Sequence, residues 1–144
     1  MCDLKAPVVL VLDDCEDNLV LMELILTNNG YQVETACCGK EGISKTYELV
    51  PHLIFLDMMM PDMSGLDVLH SIKADRHLSQ IPIIICTANR YITKDDVIGV
   101  EKICYKPFDI NDILILANSL IDCCQSVDGV IVVMDVNDKD SLRI

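Results

Sequence analysis

The sequence predicts an α/β fold built around a parallel β-sheet. Short, continuous runs of apolar residues rich in β-branched side chains, such as Val8–Leu12 and Ile83–Cys86, indicate strands that are buried on both faces. Segments with apolar residues at helical spacing lie between these runs, so that strands and helices alternate five times. The chain has 144 residues, of which 51% are hydrophobic, and this is enough for one domain with a sizeable core.

The predicted elements follow one another in a regular order. The strand at 8–12 ends in two aspartates, and the helix after it, at 17–28, ends at Asn29 and Gly30. Residues 31–36 alternate between apolar and polar, which is typical of a half-exposed strand. The remaining predictions are a helix at 39–48, a strand at 52–57, helices at 65–74 and 92–98, strands at 83–86 and 102–105, and a long apolar helix at 109–124.

A sixth strand is predicted at about 129–136, where Gly129 precedes five consecutive apolar residues. The segment 125–128 has a normal length for a loop from helix to strand. A right-handed crossover would place this strand parallel to the fifth strand, at that edge of the sheet. It pairs either within the chain or across a dimer. We therefore expect one domain over 1–124 and a C-terminal extension over 125–144.

The composition excludes several classes of protein. The chain has 23 acidic and 11 basic residues and a net charge of −12, which argues against a nucleic-acid-binding module. It has no apolar run long enough to span a membrane and no signal-peptide pattern at its N-terminus, so we expect a cytoplasmic protein that does not bind membranes. In that compartment the eight cysteines are expected to be free thiols, and the lack of a C-x-x-C pattern argues against zinc.

Chemically functional side chains stand at the ends of four predicted strands. Asp13 and Asp14 follow the first strand, Asp57 ends the third, Thr87 the fourth and Lys106 the fifth. The carboxyl ends of parallel strands meet at one edge of a sheet, which is where ligands bind. Three close carboxylates repel one another unless a cation joins them, and oxygen ligands favour Mg²⁺. A carboxylate can also attack phosphorus, and the phosphoryl oxygens then need a metal ion, a hydroxyl and an ammonium group.

Four stretches of the sequence resemble the receiver domain of two-component response regulators. They are Val-Leu-Asp-Asp-Cys-Glu-Asp-Asn at 11–18, Leu-Asp-Met-Met-Met-Pro-Asp-Met-Ser-Gly at 56–65, Thr-Ala at 87–88 and Lys-Pro-Phe at 106–108. The resemblance extends over about residues 7–124. It implies a receiver domain over 1–124 with a flavodoxin-like, doubly wound sheet of five parallel strands in the order 2-1-3-4-5.

The resemblance also implies the roles of the acidic residues. Asp57 would accept a phosphoryl group from a sensor histidine kinase or a phosphotransfer protein. Asp14 and Asp57 would bind Mg²⁺ directly, together with the backbone carbonyl of Met59, and Asp13 would act largely through a metal-bound water.

Two further residues are implied to bind the phosphoryl oxygens, namely Thr87 and Lys106. The family usually has a cis peptide bond between the lysine and the proline, here Lys106 and Pro107, and Gly65 would serve the turn into the next helix.

The sequence departs from the family pattern around the fifth strand. The family has a switch aromatic three residues before the lysine, where this chain has Ile103, and its aromatic residue is instead Tyr105. The two side chains share a face of the strand, so both are candidates for the switch together with Thr87. The segment between Thr87 and Lys106 is also short, which predicts an abbreviated or irregular helix. A homodimer remains an alternative, but the dimer that the family usually forms through this face is not expected.

Met59 bears on two further interpretations. Phosphatases of the haloacid-dehalogenase class have a second aspartate two residues after their nucleophile, and methionine at this position cannot transfer a proton, so we reject that class. In receivers this position and the one occupied by Asn89 border the path of the hydrolytic water. Met59 cannot bond that water strongly, which predicts slow self-dephosphorylation.

The sequence therefore predicts a single-domain response regulator, because only about 20 residues follow the helix at 109–124. It would act as a phosphorylation-controlled interaction switch or a phosphorelay intermediate, with an unknown downstream protein. Its only catalysis would be Mg²⁺-dependent self-phosphorylation from a phosphodonor and self-dephosphorylation. The alternatives are an interaction or dimerisation module that keeps the receiver fold without phosphorylation, and a fragment of a larger regulator.

Overall fold

Five parallel strands form one sheet in the computed structural model, which describes residues 6–124 of the protein. The strands pair in the order β2-β1-β3-β4-β5, which confirms the predicted doubly wound fold. In this part of the chain the elements are β1 (Val8–Leu12), α1 (Glu16–Thr27), β2 (Gln32–Ala36), α2 (Gly39–Leu49), β3 (Leu53–Asp57), α3 (Gly65–Ala74), β4 (Ile83–Thr87), β5 (Lys102–Tyr105) and α4 (Ile110–Cys124).

The helices cover the two faces of the sheet as two layers. Helices α1 and α4 pack on one face, where Met22 and Ile113 lie in the same cluster as Phe55 of β3. Helix α3 packs on the other face, where Leu69 lies in the same cluster as Leu56, and α2 borders this cluster. Strands β3 and β4 are therefore buried at every residue, as their continuous apolar runs indicated.

The connection between β4 and β5 differs from the prediction, because the expected helix at 92–98 is absent there. Residues 88–101 instead form successive turns, with hydrogen bonds from Asp96 N to Thr93 O (2.9 Å) and from Val97 N to Lys94 O (3.2 Å). The N–H of Thr93 donates to the carboxylate of Asp96 at 2.9 Å, which holds the first of these turns. Both backbone bonds join residues three apart, rather than the four apart of an α-helix. Gly99 has φ +101°, which no continuing helix allows. The prediction of a helix at 92–98 was wrong, whereas the expectation of an irregular segment agrees with these turns.

The predicted sixth strand at 129–136 and the extension over 125–144 lie outside the described residues. Between residues 6 and 124, no helix is both long enough and apolar enough to cross a membrane.

Candidate functional site

The carboxyl ends of β1 and β3 bring three carboxylates together at one edge of the sheet. Asp13 and Asp14 directly follow β1, and Asp57 is the last residue of its neighbour β3. One oxygen from each of the three lies within 4.8 Å of the others. Asp13 and Asp57 are only 2% and 5% exposed, whereas Asp14 is open to solvent. The structure thus brings the predicted acidic residues into one pocket.

Lys106 extends from the end of β5 into this pocket. Its Nζ atom donates hydrogen bonds to Asp13 Oδ2 and to Asp57 Oδ1, each at 3.1 Å. The backbone N–H of Lys106 donates to the carbonyl of Thr87 at 2.8 Å, which ties the start of this loop to β4. The Lys106–Pro107 peptide bond is cis, as the resemblance implied.

Asp13 has further partners that the sequence analysis did not identify. Its carboxylate accepts hydrogen bonds from the backbone N–H of Cys15 at 2.9 Å and from the side-chain amide of Asn18 at 3.1 Å. Asn18 lies in the first turns of α1, within the stretch 11–18 that resembles receiver domains. The amide holds Asp13 in place, so Asn18 is a positioning residue of the pocket.

Burial and charge act in opposite directions on the pocket's ionisable groups. Burial raises the pKa of Asp57, the charge of Asp13 raises it further, and Lys106 and the N–H of Met59 oppose this without cancelling it. Burial lowers the pKa of Lys106, but its hydrogen bonds and charge interactions with Asp13 and Asp57 outweigh burial and raise it. The ammonium is therefore held charged, while the charge on Asp57 costs stability.

This raised pKa predicts a pH-dependent difference between the protein and its Asp57→Asn variant in the presence of a chelator. A carboxyl whose pKa is higher in the folded state loses stability as pH rises from its ordinary value of 3.8 through the raised value. Asparagine does not titrate, so the variant should become the more stable of the two across this window. At neutral pH we expect the variant to have the higher Tm. Thermal unfolding from pH 3 to 8 measures the difference in Tm between the two proteins. A difference that does not change with pH would contradict the raised pKa of Asp57 as its cause.

Gly65 controls how closely α3 approaches the pocket. A Cβ atom at this residue would lie 2.4 Å from the carbonyl oxygen of Asp57 and 2.9 Å from the Cα of Met58. Only glycine permits this contact with the backbone of the pocket. Ser64 caps α3 through Asp67 in a capping box, so the helix begins at a defined residue. Gly65 thus serves the turn that the resemblance implied.

The comparison with protein families agrees with this arrangement. The family model described as "Response regulator receiver domain" matches residues 9–118, which contain every strand except the first residue of β1. The chain belongs to the response regulator receiver family. Receiver domains are signalling modules of two-component systems, and an acidic cluster such as Asp13, Asp14 and Asp57 is consistent with their magnesium site.

Curated relatives of this receiver domain are longer than the chain. It is 37% identical over 113 residues to "Probable transcriptional regulator ycf29" of Pyropia yezoensis, an alignment that spans 74% of this chain and 50% of that protein. It is 31% identical over 144 residues to "Response regulator ArlR" of Staphylococcus aureus, spanning 94% of this chain and 62% of the relative. The chain thus spans half to three fifths of the length of these relatives.

Solved receiver structures share the fold. Chemotaxis response regulator CheY4 of Vibrio cholerae superposes with a TM-score of 0.74 at 23% identity, covering 80% of this chain and 98% of that one, a likeness that concerns the fold. The N-terminal domain of a response regulator receiver protein from Methanoculleus marisnigri JR1 has a TM-score of 0.66 at 27% identity, covering 78% and 94%.

The three switch candidates of the receiver domain lie around β4 and β5. Thr87 is buried and pairs in register with Tyr105, and its Oγ1 accepts a hydrogen bond from the N–H of Asn89 at 3.0 Å. The hydroxyl of Tyr105 donates to the carbonyl of Ile92 at 2.6 Å. Ile103 packs with apolar residues of the same connection and has no polar side-chain atom. Thr87 and Tyr105 therefore bond to the same short segment, 89–92, whereas Ile103 only packs near it.

Proposed function

We propose that this chain is a phosphorylation-controlled switch in which Asp57 accepts a phosphoryl group from a sensor histidine kinase or a phosphotransfer protein. The observation that supports this most directly is the position of Asp57, which is 5% exposed among two other carboxylates and bonded to Lys106. The phosphorylated protein would bind an unknown downstream protein or pass the phosphoryl group on in a relay. We assign this exchange to the cytoplasm.

The proposed transfer uses three of the chain's own side chains. A carboxylate oxygen of Asp57 forms a bond to phosphorus while the bond from phosphorus to the donor's imidazole nitrogen breaks, and the imidazole leaves with the electron pair. The ammonium of Lys106, already 3.1 Å from Asp57, is placed to neutralise phosphoryl oxygens. The hydroxyl of Thr87 accepts one hydrogen bond from a backbone N–H, so its own proton is available for a phosphoryl oxygen.

The donor set of the pocket fits a magnesium ion. Three carboxylates lie within 4.8 Å of one another, and one ammonium group, that of Lys106, bonds to two of them. This leaves an excess of negative charge on oxygen atoms, which suits a hard divalent cation. Asp13, Asp14, Asp57 and the backbone carbonyl of Met59 would hold the ion, and it would supply positive charge to the carboxylates and the phosphoryl oxygens.

The experiment that tests the proposal is incubation of the purified protein with acetyl phosphate, with and without Mg²⁺. We expect a mass increase of one phosphoryl group on Asp57 only when Mg²⁺ is present. Beryllofluoride, which mimics a phosphoryl group, should change the amide spectrum of residues 87–106 under the same conditions. No mass increase and no spectral change would favour the alternative of an interaction module that signals without phosphorylation.

The phosphorylated protein is expected to lose its phosphoryl group slowly, with a half-life of minutes or longer. Met59 is 76% exposed beside the pocket, and its thioether bonds water weakly. Asparagine at this position would orient a water, so we expect Met59→Asn to shorten the half-life several-fold. Met59→Leu, which stays apolar, should leave it unchanged. Intact-mass spectrometry over time gives the half-lives, and loss within seconds in the unaltered protein would contradict this expectation.

We propose that Tyr105, rather than Ile103, couples the pocket to the connection 88–101. A phosphoryl group that draws the hydroxyl of Thr87 would disturb its bond with Asn89, and Tyr105 anchors the same segment through Ile92. Tyr105→Phe keeps the ring and removes only this anchor. The variant should take up the phosphoryl group at nearly the normal rate.

The readout for Tyr105 is hydrogen exchange of residues 88–101 with and without beryllofluoride. In Tyr105→Phe these amides should exchange fast both with and without beryllofluoride. The change in exchange rate that beryllofluoride causes should therefore be less than half of that in the unaltered protein. Tyr91→Phe is the matched control, because Tyr91 lies in the same connection but is 92% exposed. Equal differences in both variants would contradict the role of Tyr105.

A further inference from the structure

Two buried thiols lie side by side beneath the acidic pocket. Cys86 of β4 and Cys104 of β5 are partners in the parallel register of the sheet, and both side chains lie in the cluster on the α1 and α4 face. They are only 2% and 3% exposed. Their strands are adjacent, so the two Cα atoms lie about 4.8 Å apart, within the range that a disulfide spans. Both are free thiols in this structure.

The neighbours of this pair belong to the proposed phosphoryl site. Cys86 pairs with Asp57 on its other side and directly precedes Thr87, and Cys104 lies two residues before Lys106. A change in the spacing of β4 and β5 at this point therefore moves the backbone that carries the hydroxyl and the ammonium group. The transfer proposed for Asp57 uses neither thiol.

One of the two thiols, Cys104, borders a surface cavity, although it is only 3% exposed. A cavity of about 530 Å³ lies between the outer edge of β5 and α4, and Cys104 lines it together with Tyr105 and Leu116. The interaction between the two side chains lowers the pKa of Cys104 and raises that of Cys86, and burial raises the pKa of Cys86 further. Strand β5 is the last in the described sheet order, so it can separate locally without loss of a second neighbour.

We propose that Cys86 and Cys104 form a reversible disulfide that reports hydroperoxides to the phosphoryl site. The thiolate of Cys104 attacks the peroxide, an S–O bond forms, the O–O bond breaks and water leaves after protonation. The sulfur of Cys86 then attacks that of Cys104, so that the S–S bond forms, the S–O bond breaks and a second water carries away the Cys86 proton. Two thiols lose two electrons and hydrogen peroxide is reduced to two waters. Such a transient disulfide is compatible with a reducing compartment.

The disulfide requires β4 and β5 to approach, because its Cβ atoms lie about 3.5–4.5 Å apart, closer than neighbouring strands normally allow. This approach would shift Thr87 and Lys106 and slow the phosphorylation of Asp57. The effect on phosphorylation rests on the proposed function, whereas the formation of the cross-link does not.

The test uses a full-length variant in which Cys2, Cys15, Cys37, Cys38, Cys123 and Cys124 are replaced by serine. Treatment of the folded, monomeric protein with hydrogen peroxide should remove two hydrogens from its mass. Peptide mapping should join residue 86 to residue 104, in this variant and in the unaltered protein, and dithiothreitol should restore both thiols. The same variant with Cys104→Ala added is the control and should not cross-link.

The second readout is phosphorylation by acetyl phosphate with Mg²⁺, before and after oxidation. We expect oxidation to reduce the rate at least fivefold and dithiothreitol to restore it. Two free thiols after oxidation would overturn the proposal. A cross-linked protein that is phosphorylated as fast as the dithiol form would also overturn it. If the dithiol form takes up no phosphoryl group, the proposed function fails instead. The loss of two hydrogens from the mass of the protein then still tests whether the disulfide forms.

Discussion

Asp57→Asn is expected to abolish phosphorylation of the protein by acetyl phosphate or by a cognate kinase. The amide cannot act as the nucleophile, and the other two carboxylates of the pocket lie at the end of a different strand, β1. We expect a loss of at least about a thousandfold, of the order that follows the removal of a nucleophile in other active sites. Intact-mass spectrometry and peptide mapping of the acid-labile adduct measure it.

A matched control separates this effect from a general loss of acidic charge. Asp95→Asn removes the same charge from an exposed position in the connection between β4 and β5, and should be phosphorylated at the normal rate. Asp57→Asn should also keep its fold, which the unfolding experiment on the same variant checks. Incorporation of phosphate into folded Asp57→Asn would refute the assignment of the acceptor.

Lys106→Met is expected to destabilise the protein strongly when Mg²⁺ is absent. The substitution leaves two carboxylates, 2% and 5% exposed, without the ammonium group that bonds to both at 3.1 Å. Removal of one partner of a buried ion pair costs about 3–5 kcal/mol, and we expect about 1–3 kcal/mol here because the Lys106 side chain is 20% exposed. Urea unfolding in a chelator measures the change in the free energy of unfolding.

Magnesium should restore part of this stability, because a divalent cation replaces the missing positive charge. The rescue distinguishes lost charge from lost packing of the lysine stem. Lys94→Met is the control, since Lys94 is exposed and makes no ion pair in the described part of the chain, and it should change stability by less than about 0.5 kcal/mol. Equal destabilisation of both variants, or no effect of Mg²⁺ on Lys106→Met, would contradict the electrostatic role.

The local patterns of apolar and polar residues predicted most of the fold, because the side chains of a buried face are apolar. The apolar runs of β3 and β4 could belong only to strands covered on both faces, and Asn29-Gly30 ended α1 within two residues of the prediction. The helix predicted at 92–98 is absent because this segment closes turns between residues three apart, and Gly99, with φ +101°, directly follows it. A periodic pattern does not distinguish such turns from a short helix.

The position of α4 affects the predicted strand at 129–136, which stays a prediction. Helices α1 and α4 lie on the same face of the sheet, and α1 leads from β1 outward to β2. Right-handed crossovers over one face all run in the same direction, so the connection through α4 would lead from β5 back towards β2. A parallel partner at the outer edge of β5 would need the rare left-handed connection.

The sequence by itself determined the five strands of the described sheet, their order through its likeness to receivers, and which ionisable and hydroxyl side chains stand at the strand ends. These depend on burial and on the polarity of a parallel sheet, which the order of residue types encodes. Only the tertiary structure decided that Lys106 bonds to Asp13 as well as Asp57, that Tyr105 anchors Ile92, and that Cys86 and Cys104 are neighbours. Each of these contacts joins residues that are distant in the sequence or on different strands, and their distances depend on register and on side-chain direction.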